Sequence, residues 1–369
     1  MPFSRLLSSF SVFFSRQYLL VANLGDKGPV LRYDMGSGKF VDTFFTVERP
    51  DSQDDTIAAA PYDLQKSPDG WLHVLTLNPR EVWRYRESNG SFGSVVVPDL
   101  ERKDNWRQAF CLAFGPDGNL YVGSDNGIFG AGSEVLRFDG KTGAPLGMFV
   151  PTKSGGLDGG NCILFGPDGH LYAAGDETTG ILRFNGMTGA FMGVFVPEYP
   201  HRSQLNPRSL AFGPDGHLYA IAGAPPQSNI PGASNEPDRI LRYHGSTGAL
   251  LDEFVSPSAE LGRPIAIIFG PDGNLYVGAT HVVGEHGAGS IYTGRIRVYS
   301  GTTGSLLATF DPSNQANLDY PISLAFARVT VSVRDIIFIS RIPKWMWALA
   351  LGLILGITAG RVNNRVEQR

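Results

Sequence analysis

The sequence predicts an all-β chain: a six-bladed β-propeller whose closing blade is shared between its N- and C-terminal pieces, followed by a C-terminal hydrophobic helix. Three observations predict it. Two short turn-centred motifs alternate along residues 18–326, no helical period appears within them, and the incomplete unit at the start is completed by a piece at the end.

The first motif reads Phe114-Gly115-Pro116-Asp117-Gly118-Asn119-Leu120-Tyr121-Val122 and returns at residues 165–172, 212–219 and 269–277. A degraded copy, Ser67-Pro68-Asp69-Gly70-Trp71-Leu72, precedes them. Proline presets φ at a turn position, Asp hydrogen-bonds its own backbone, and Gly accepts the positive φ that closes a hairpin. The second motif, Val135-Leu136-Arg137-Phe138-Asp139-Gly140-Lys141-Thr142-Gly143, has relatives beginning at Val30, Glu81, Ile181, Ile240 and Arg295. Its Gly-x-Thr-Gly turn follows the same logic between two further short strands. Each unit is therefore a four-stranded antiparallel blade.

Closure follows from the order of the motifs. Residues 18–22 resemble a second strand and residues 30–45 supply a third and fourth, while the missing first strand returns as residues 321–326. Such pairing removes two free sheet edges. Arg32, Arg84, Arg137, Arg183 and Arg242 share one third-strand position, with Val298 in the sixth copy, and are expected to be structural. Cys111 and Cys162 share a first-strand position with Ser209, Ala266 and Ser323, which suits packing at a crowded axis.

Repeats of the form LAFGPDGNLYVGS…VLRFDGKTG resemble the NHL-type and streptogramin-lyase-type (virginiamycin B lyase-type) propellers over residues 18–326. The shared residues form turns and core, so the resemblance implies fold and leaves activity open. The lyases it points to are usually seven-bladed and set a catalytic histidine beside a metal-binding glutamate. Neither residue carries over, because the flanking motif is absent here and the blade count differs. Gluconolactonase-type lactonases are six-bladed but open with an acidic metal-binding motif that this N-terminus lacks.

A net charge of -4 and no basic run in the repeats argue against a nucleic-acid partner. Glycine, at 46 of 369 residues, and 25 prolines call for many turns and few helices. Two cysteines form no disulfide framework. The chain holds no Gly-x-Ser-x-Gly elbow, Walker loop, dinucleotide fingerprint or Cys-x-x-Cys pair. No catalytic residue and no cofactor are assigned.

Short turns occupy one propeller face, and the other is expected to carry long irregular loops at residues 124–134, 176–180, 223–238 and 280–293. Binding residues concentrate on loops held by a rigid scaffold. The sequence therefore favours a binding or scaffolding protein over an enzyme, with a protein, peptide or carbohydrate ligand on the long-loop face. The alternative is a metal-dependent lyase or lactonase. Its divalent-metal candidates are His281, Glu285 and His286, whose imidazole and carboxylate groups could ligate zinc or hold a general base. His170 and His217 follow Pro-Asp-Gly turns where other copies have Asn119 and Asn274, which indicates turn hydrogen bonding.

Outside the propeller the expected segments are 1–17, with a loosely signal-like stretch, a linker at 327–341, a membrane helix at 342–362 and a basic tail at 363–369. Residues 345–360 are sixteen uncharged residues between Lys344 and Arg361. At ~1.5 Å per residue they span ~24 Å, and flanking Lys and Arg can snorkel across the remainder. Trp345 and Trp347 suit an interfacial belt. A single-pass C-terminal anchor and an exported propeller are the resulting expectation. Ala348, Gly352, Gly356 and Gly360 recur every four residues, a small-residue stripe that suits homodimerisation. Gly356→Ile is expected to weaken self-association in a membrane dimerisation assay and to leave insertion intact; equal signals from both segments leave a monomeric anchor.

Overall fold

The computed structural model describes residues 13–24, 28–48, 59–100, 108–125, 132–175, 178, 180–197, 208–223, 237–286, 289–311 and 316–332. By its contacts the chain divides into a propeller unit, residues 17–327, and a terminal unit, residues 1–16 with 328–369. Of the terminal unit only the outer ends of two strands are described. The expected membrane helix and its glycine stripe lie outside the described residues, and among these no helix is long and apolar enough to cross a membrane.

Six four-stranded sheets form the propeller. Blade 1 joins β24 (Pro321–Ser332) to β1 (Phe13–Asn23), β2 (Pro29–Asp34) and β3 (Phe40–Thr46). Blade 2 holds β4 (Ala60–Lys66), β5 (Trp71–Leu77), β6 (Val82–Arg86) and β7 (Phe92–Val97). Blade 3 holds β8 (Gln108–Phe114), β9 (Leu120–Asp125), β10 (Ser133–Phe138) and β11 (Pro145–Val150). Blade 4 holds β12 (Gly160–Phe165), β13 (Leu171–Gly175), β14 (Ile181–Phe184) and β15 (Phe191–Val196). Blade 5 holds β16 (Leu210–Phe212), β17 (Leu218–Ala222), β18 (Arg239–Tyr243) and β19 (Leu250–Val255). Blade 6 holds β20 (Arg263–Phe269), β21 (Leu275–His286), β22 (Gly289–Tyr299) and β23 (Leu306–Phe310). The shared closing blade is thus present, and its two chain ends run past residues 18 and 326 as strand.

The motifs act as their chemistry dictates. In blade 3 the Asp117 carboxylate accepts the Asn119 amide at 3.1 Å and the Tyr121 hydroxyl at 2.9 Å, while Gly118 takes φ +76°. The same Tyr-to-Asp bond recurs as Tyr172–Asp168, Tyr219–Asp215 and Tyr276–Asp272. Each of these tyrosines packs edge-on against a Phe of its own fourth strand and a Phe of the next blade's first strand, as Tyr121 does with Phe149 and Phe165 at 4.8 Å. His170 and His217 accept amide N–H bonds from Gly186 and Gly245 at Nδ1, and Asn274 accepts the Gly301 amide at Oδ1. These side chains tie the two turns of a blade together. A Cβ on Gly186 would lie 1.7 Å from the Gly169 carbonyl oxygen, so only glycine permits that approach.

Between the blades lie six apolar clusters, each built from two neighbours: Leu75, Val82 and Val97 of blade 2, for example, meet Leu112 and Leu120 of blade 3. The repeated arginines are structural, as expected. Arg137, Arg183 and Arg242 stand opposite Tyr121, Tyr172 and Tyr219 and lie over Phe149, Phe195 and Phe254.

One loop expectation is corrected. Residues 280–286 and 289–293 continue the ladder of blade 6 as an extended hairpin, with Thr280 paired to Gly294, His281 to Thr293 and His286 to Gly289. Threonine, valine, isoleucine and tyrosine are strand formers, and both arms carry them.

Candidate functional site

The first strands of the six blades, β4, β8, β12, β16, β20 and β24, surround an axial cavity of about 560 Å³. Each strand lines it with a run of successive residues, as 209–212 and 265–269 do. Four of the strands are bulged near their start. The ladder slips between Pro61 and Asp63, Ala109 and Cys111, Gly160 and Cys162, and Pro264 and Ala266. Each slip inserts one residue, and such bulges re-aim side chains. Tyr62, Phe110 and Ile265 are inserted in this way and line the cavity, as do Arg208 and Ile322 from the other two blades.

These residues form a collar on the long-loop side, because each first strand starts there and ends at the short-turn side. The Arg80 guanidinium sits over the rings of Tyr62 and Phe110, 5.7 and 5.5 Å from their centroids, and donates to the Ala109 carbonyl. Arg208 is held by the Asp238 carboxylate at 3.0 Å and the Pro264 carbonyl at 3.2 Å. Arg263 and Tyr320 also line this cavity. Towards the short-turn side the lining turns apolar, with Leu164 and Ile268.

One level in from the collar lies a ring: Asp63, Cys111, Cys162, Ser209, Ala266 and Ser323. The expected packing role holds for the cysteines, whose thiols are free. The chemistry of the ring is more specific than smallness. Each polar member accepts a backbone N–H from the next blade. Asp63 Oδ2 accepts from Leu112 at 2.7 Å, Ser209 Oγ from Ile267 at 3.2 Å and Ser323 Oγ from Leu64 at 3.1 Å. Cys111 and Cys162 take the amides of Ile163 and Leu210. Only Ala266 lacks an acceptor. Innermost strands have no neighbour on their axial side, so their amides need such partners.

Asp63 also accepts the Ser323 hydroxyl at 2.7 Å and the Leu64 amide at 2.8 Å through Oδ1. Asp63 lines the cavity, and burial is the largest influence on its carboxyl. Burial pushes its carboxyl up to about 6, against the opposing pull of these donors, the Leu112 amide foremost. Burial likewise pushes the Cys162 thiol up to about 12 and the Cys111 thiol well above its ordinary value, which disfavours the thiolate at both. A carboxyl tuned towards neutrality inside a cleft can hold or release a proton near a bound ligand. Asp63 escaped the sequence comparison because Lys66 and Ser67 replace the Phe-Gly that aligns the other copies.

Of the metal candidates, His281 is placed on the extended hairpin of blade 6, away from the ring. Its Nε2 accepts from Arg297 Nη1 at 2.7 Å, so that nitrogen is engaged. Burial, then Arg297 and Arg295, lower its proton affinity. The side chains of Glu285 and His286 lie outside the described residues. Among the described residues no three His, Cys, Asp or Glu side chains are grouped to hold a metal ion.

No protein-family model matches the chain, and no curated protein matches it. Solved structures do. A chain of the nidogen/laminin complex is similar at 15% identity over 84% of this chain and 98% of that one, with a TM-score of 0.54. The periplasmic gluconolactonase of Pseudomonas aeruginosa matches at 15% identity over 84% and 99%, with a TM-score of 0.49. A catalytically inactive virginiamycin B lyase from Staphylococcus aureus matches at 18% identity over 71% and 74%, with a TM-score of 0.46. The chain is a six-bladed β-propeller, the fold that this likeness to solved structures shows.

Proposed function

We propose that this chain is a binding propeller that recognises a peptide, protein segment or carbohydrate at its long-loop face, with the axial collar as the pocket. The observation that carries this is the collar of the bulged Tyr62 and Phe110 with Arg208 over a cavity of about 560 Å³. Aromatic rings held by an arginine offer a rigid, amphipathic surface, the side-chain chemistry that dominates recognition sites. Membrane attachment through residues 342–362 completes the proposal and rests on the hydropathy of that segment.

Screening the purified protein against immobilised peptides and glycans tests the reading. Ligands so found are expected to lose at least about tenfold in affinity for Tyr62→Ala and Phe110→Ala, the loss of about 1.4 kcal/mol that a truncated interface anchor gives. Binding indifferent to both changes would move the site elsewhere. Metal analysis separates the competing lyase or lactonase reading. No stoichiometric divalent ion is expected; one that disappears on changing His281, Glu285 or His286 to Ala would replace binding with metal-dependent chemistry.

A further inference from the structure

At the base of the blade 6 hairpin two arginines come together with no carboxylate ion-paired to them among the described residues. Arg295, Arg297 and Tyr299 alternate along β22 and so share one face of the sheet. Arg297 stands where four other blades carry Leu31, Leu136, Leu182 and Leu241, and blade 2 carries Trp83. Those residues fill the wedge between neighbouring blades. Arg297 is only 8% exposed there.

Its guanidinium finds one partner among the described residues, the neutral Nε2 of His281 at 2.7 Å, and its Nε has none. Among the described residues Arg295 donates to the Thr293 hydroxyl at 3.0 Å and the Gly294 carbonyl at 2.8 Å, and the buried Tyr299 hydroxyl has no partner. No carboxylate among the described residues forms an ion pair with either arginine. The exposed Glu260 acts on Arg297 only through longer-range attraction, while Arg295 repels it. An unpaired guanidinium in a blade interface is strongly unfavourable, and a leucine fits that position elsewhere in this same chain.

We infer that Arg297, Arg295 and His281 form a receptor for an oxyanion, the carboxylate or phosphate group of a ligand. Arg297 supplies fixed N–H donors and one positive charge, and Arg295 adds a second. Because His281 Nε2 accepts from Arg297, its neutral ring carries the proton on Nδ1 and is a donor as well. The imidazole is locked in place by Gly262, where even a Cβ would lie 2.1 Å from its Cε1. The same two arginines disfavour a cation beside His281.

Thermal unfolding of the full chain at constant ionic strength tests this, with inorganic phosphate and acetate exchanged for chloride. A saturable rise in midpoint of about 2 °C or more is expected for the native protein, as for any ligand that binds only the folded state. Calorimetric titration with phosphate gives the same answer directly. A rise with phosphate alone marks a phosphate ester as the ligand; a comparable rise with acetate marks a carboxylate. Arg297→Leu, which restores the residue of the other blades, is expected to melt above the native protein in chloride and to ignore both anions. Native protein indifferent to both anions overturns the inference, and a response gained by Glu285→Gln would then identify Glu285 as the internal counter-ion. An equal response in native and Arg297→Leu protein overturns it too.

Discussion

Deleting residues 321–326 is expected to lower the stability of the propeller by several kcal/mol. This strand is the innermost of blade 1 and is contributed by the far end of the chain. Leu324 is buried, Ile322 packs against the cluster between blades 1 and 2, and Phe326 meets Tyr276 edge-on at 5.1 Å. Three apolar side chains at ~1.5–3 kcal/mol each amount to much of the net stability of an ordinary domain. The deletion also removes the Ser323 bonds to Asp63 and Leu64, which join residues 259 and 260 positions apart. Urea unfolding measures the effect. An unchanged midpoint would show that the ring of blades does not depend on this closure.

The second large effect is a pair of opposing pH dependences. His73 occupies the tyrosine position of blade 2, is 1% exposed, and packs edge-on against Phe114 at 4.9 Å. Neither ring nitrogen has a partner among the described residues, and burial lowers its proton affinity from the ordinary 6.5 to about 4. The unfolded chain takes up this proton near pH 6.5 and the folded one only near pH 4, so stability falls as pH drops through that window. Asp63 behaves in the opposite sense. Its folded form keeps a proton up to about pH 6, while the unfolded form releases it near 3.8, so stability falls as pH rises through that window. Each shift corresponds to as much as about 3 kcal/mol, less for Asp63 where water enters the cavity.

The native protein is therefore expected to vary little in stability between pH 4 and 6 on account of these two groups. His73→Tyr, which restores the residue of blades 3–6 opposite Asp69, should become less stable as pH rises through that range. Asp63→Ser, which matches Ser209 and Ser323 in the ring, should become more stable as pH rises. Urea midpoints of the three proteins at several pH values show the divergence directly, because all other groups titrate alike in them. Parallel curves would show that neither group is perturbed in the folded state.

The blade count, the strand order and the closure were legible before any coordinates, and the reason is local. Pro-Asp-Gly and Gly-x-Thr-Gly turns constrain only the few residues around them, and period-two strands between such turns pair with their chain neighbours. The same locality made the roles of His170, His217 and the repeated arginines readable, since each is defined by its place relative to a turn. Repetition then carried one unit's logic around the ring.

What the tertiary structure alone decided lies where the repeats deviate. Asp63 joins the axial ring only once six strands converge, because its own motif is too altered to align. The bulges that turn Tyr62 and Phe110 into the cavity depend on register against a second strand, which no single segment encodes. Along the chain His281 stands beside Glu285 and His286 as one metal candidate of the alternative reading. Across the sheet it meets Arg297 instead, and proximity through the ladder, not along the sequence, sets the charge that a side chain experiences.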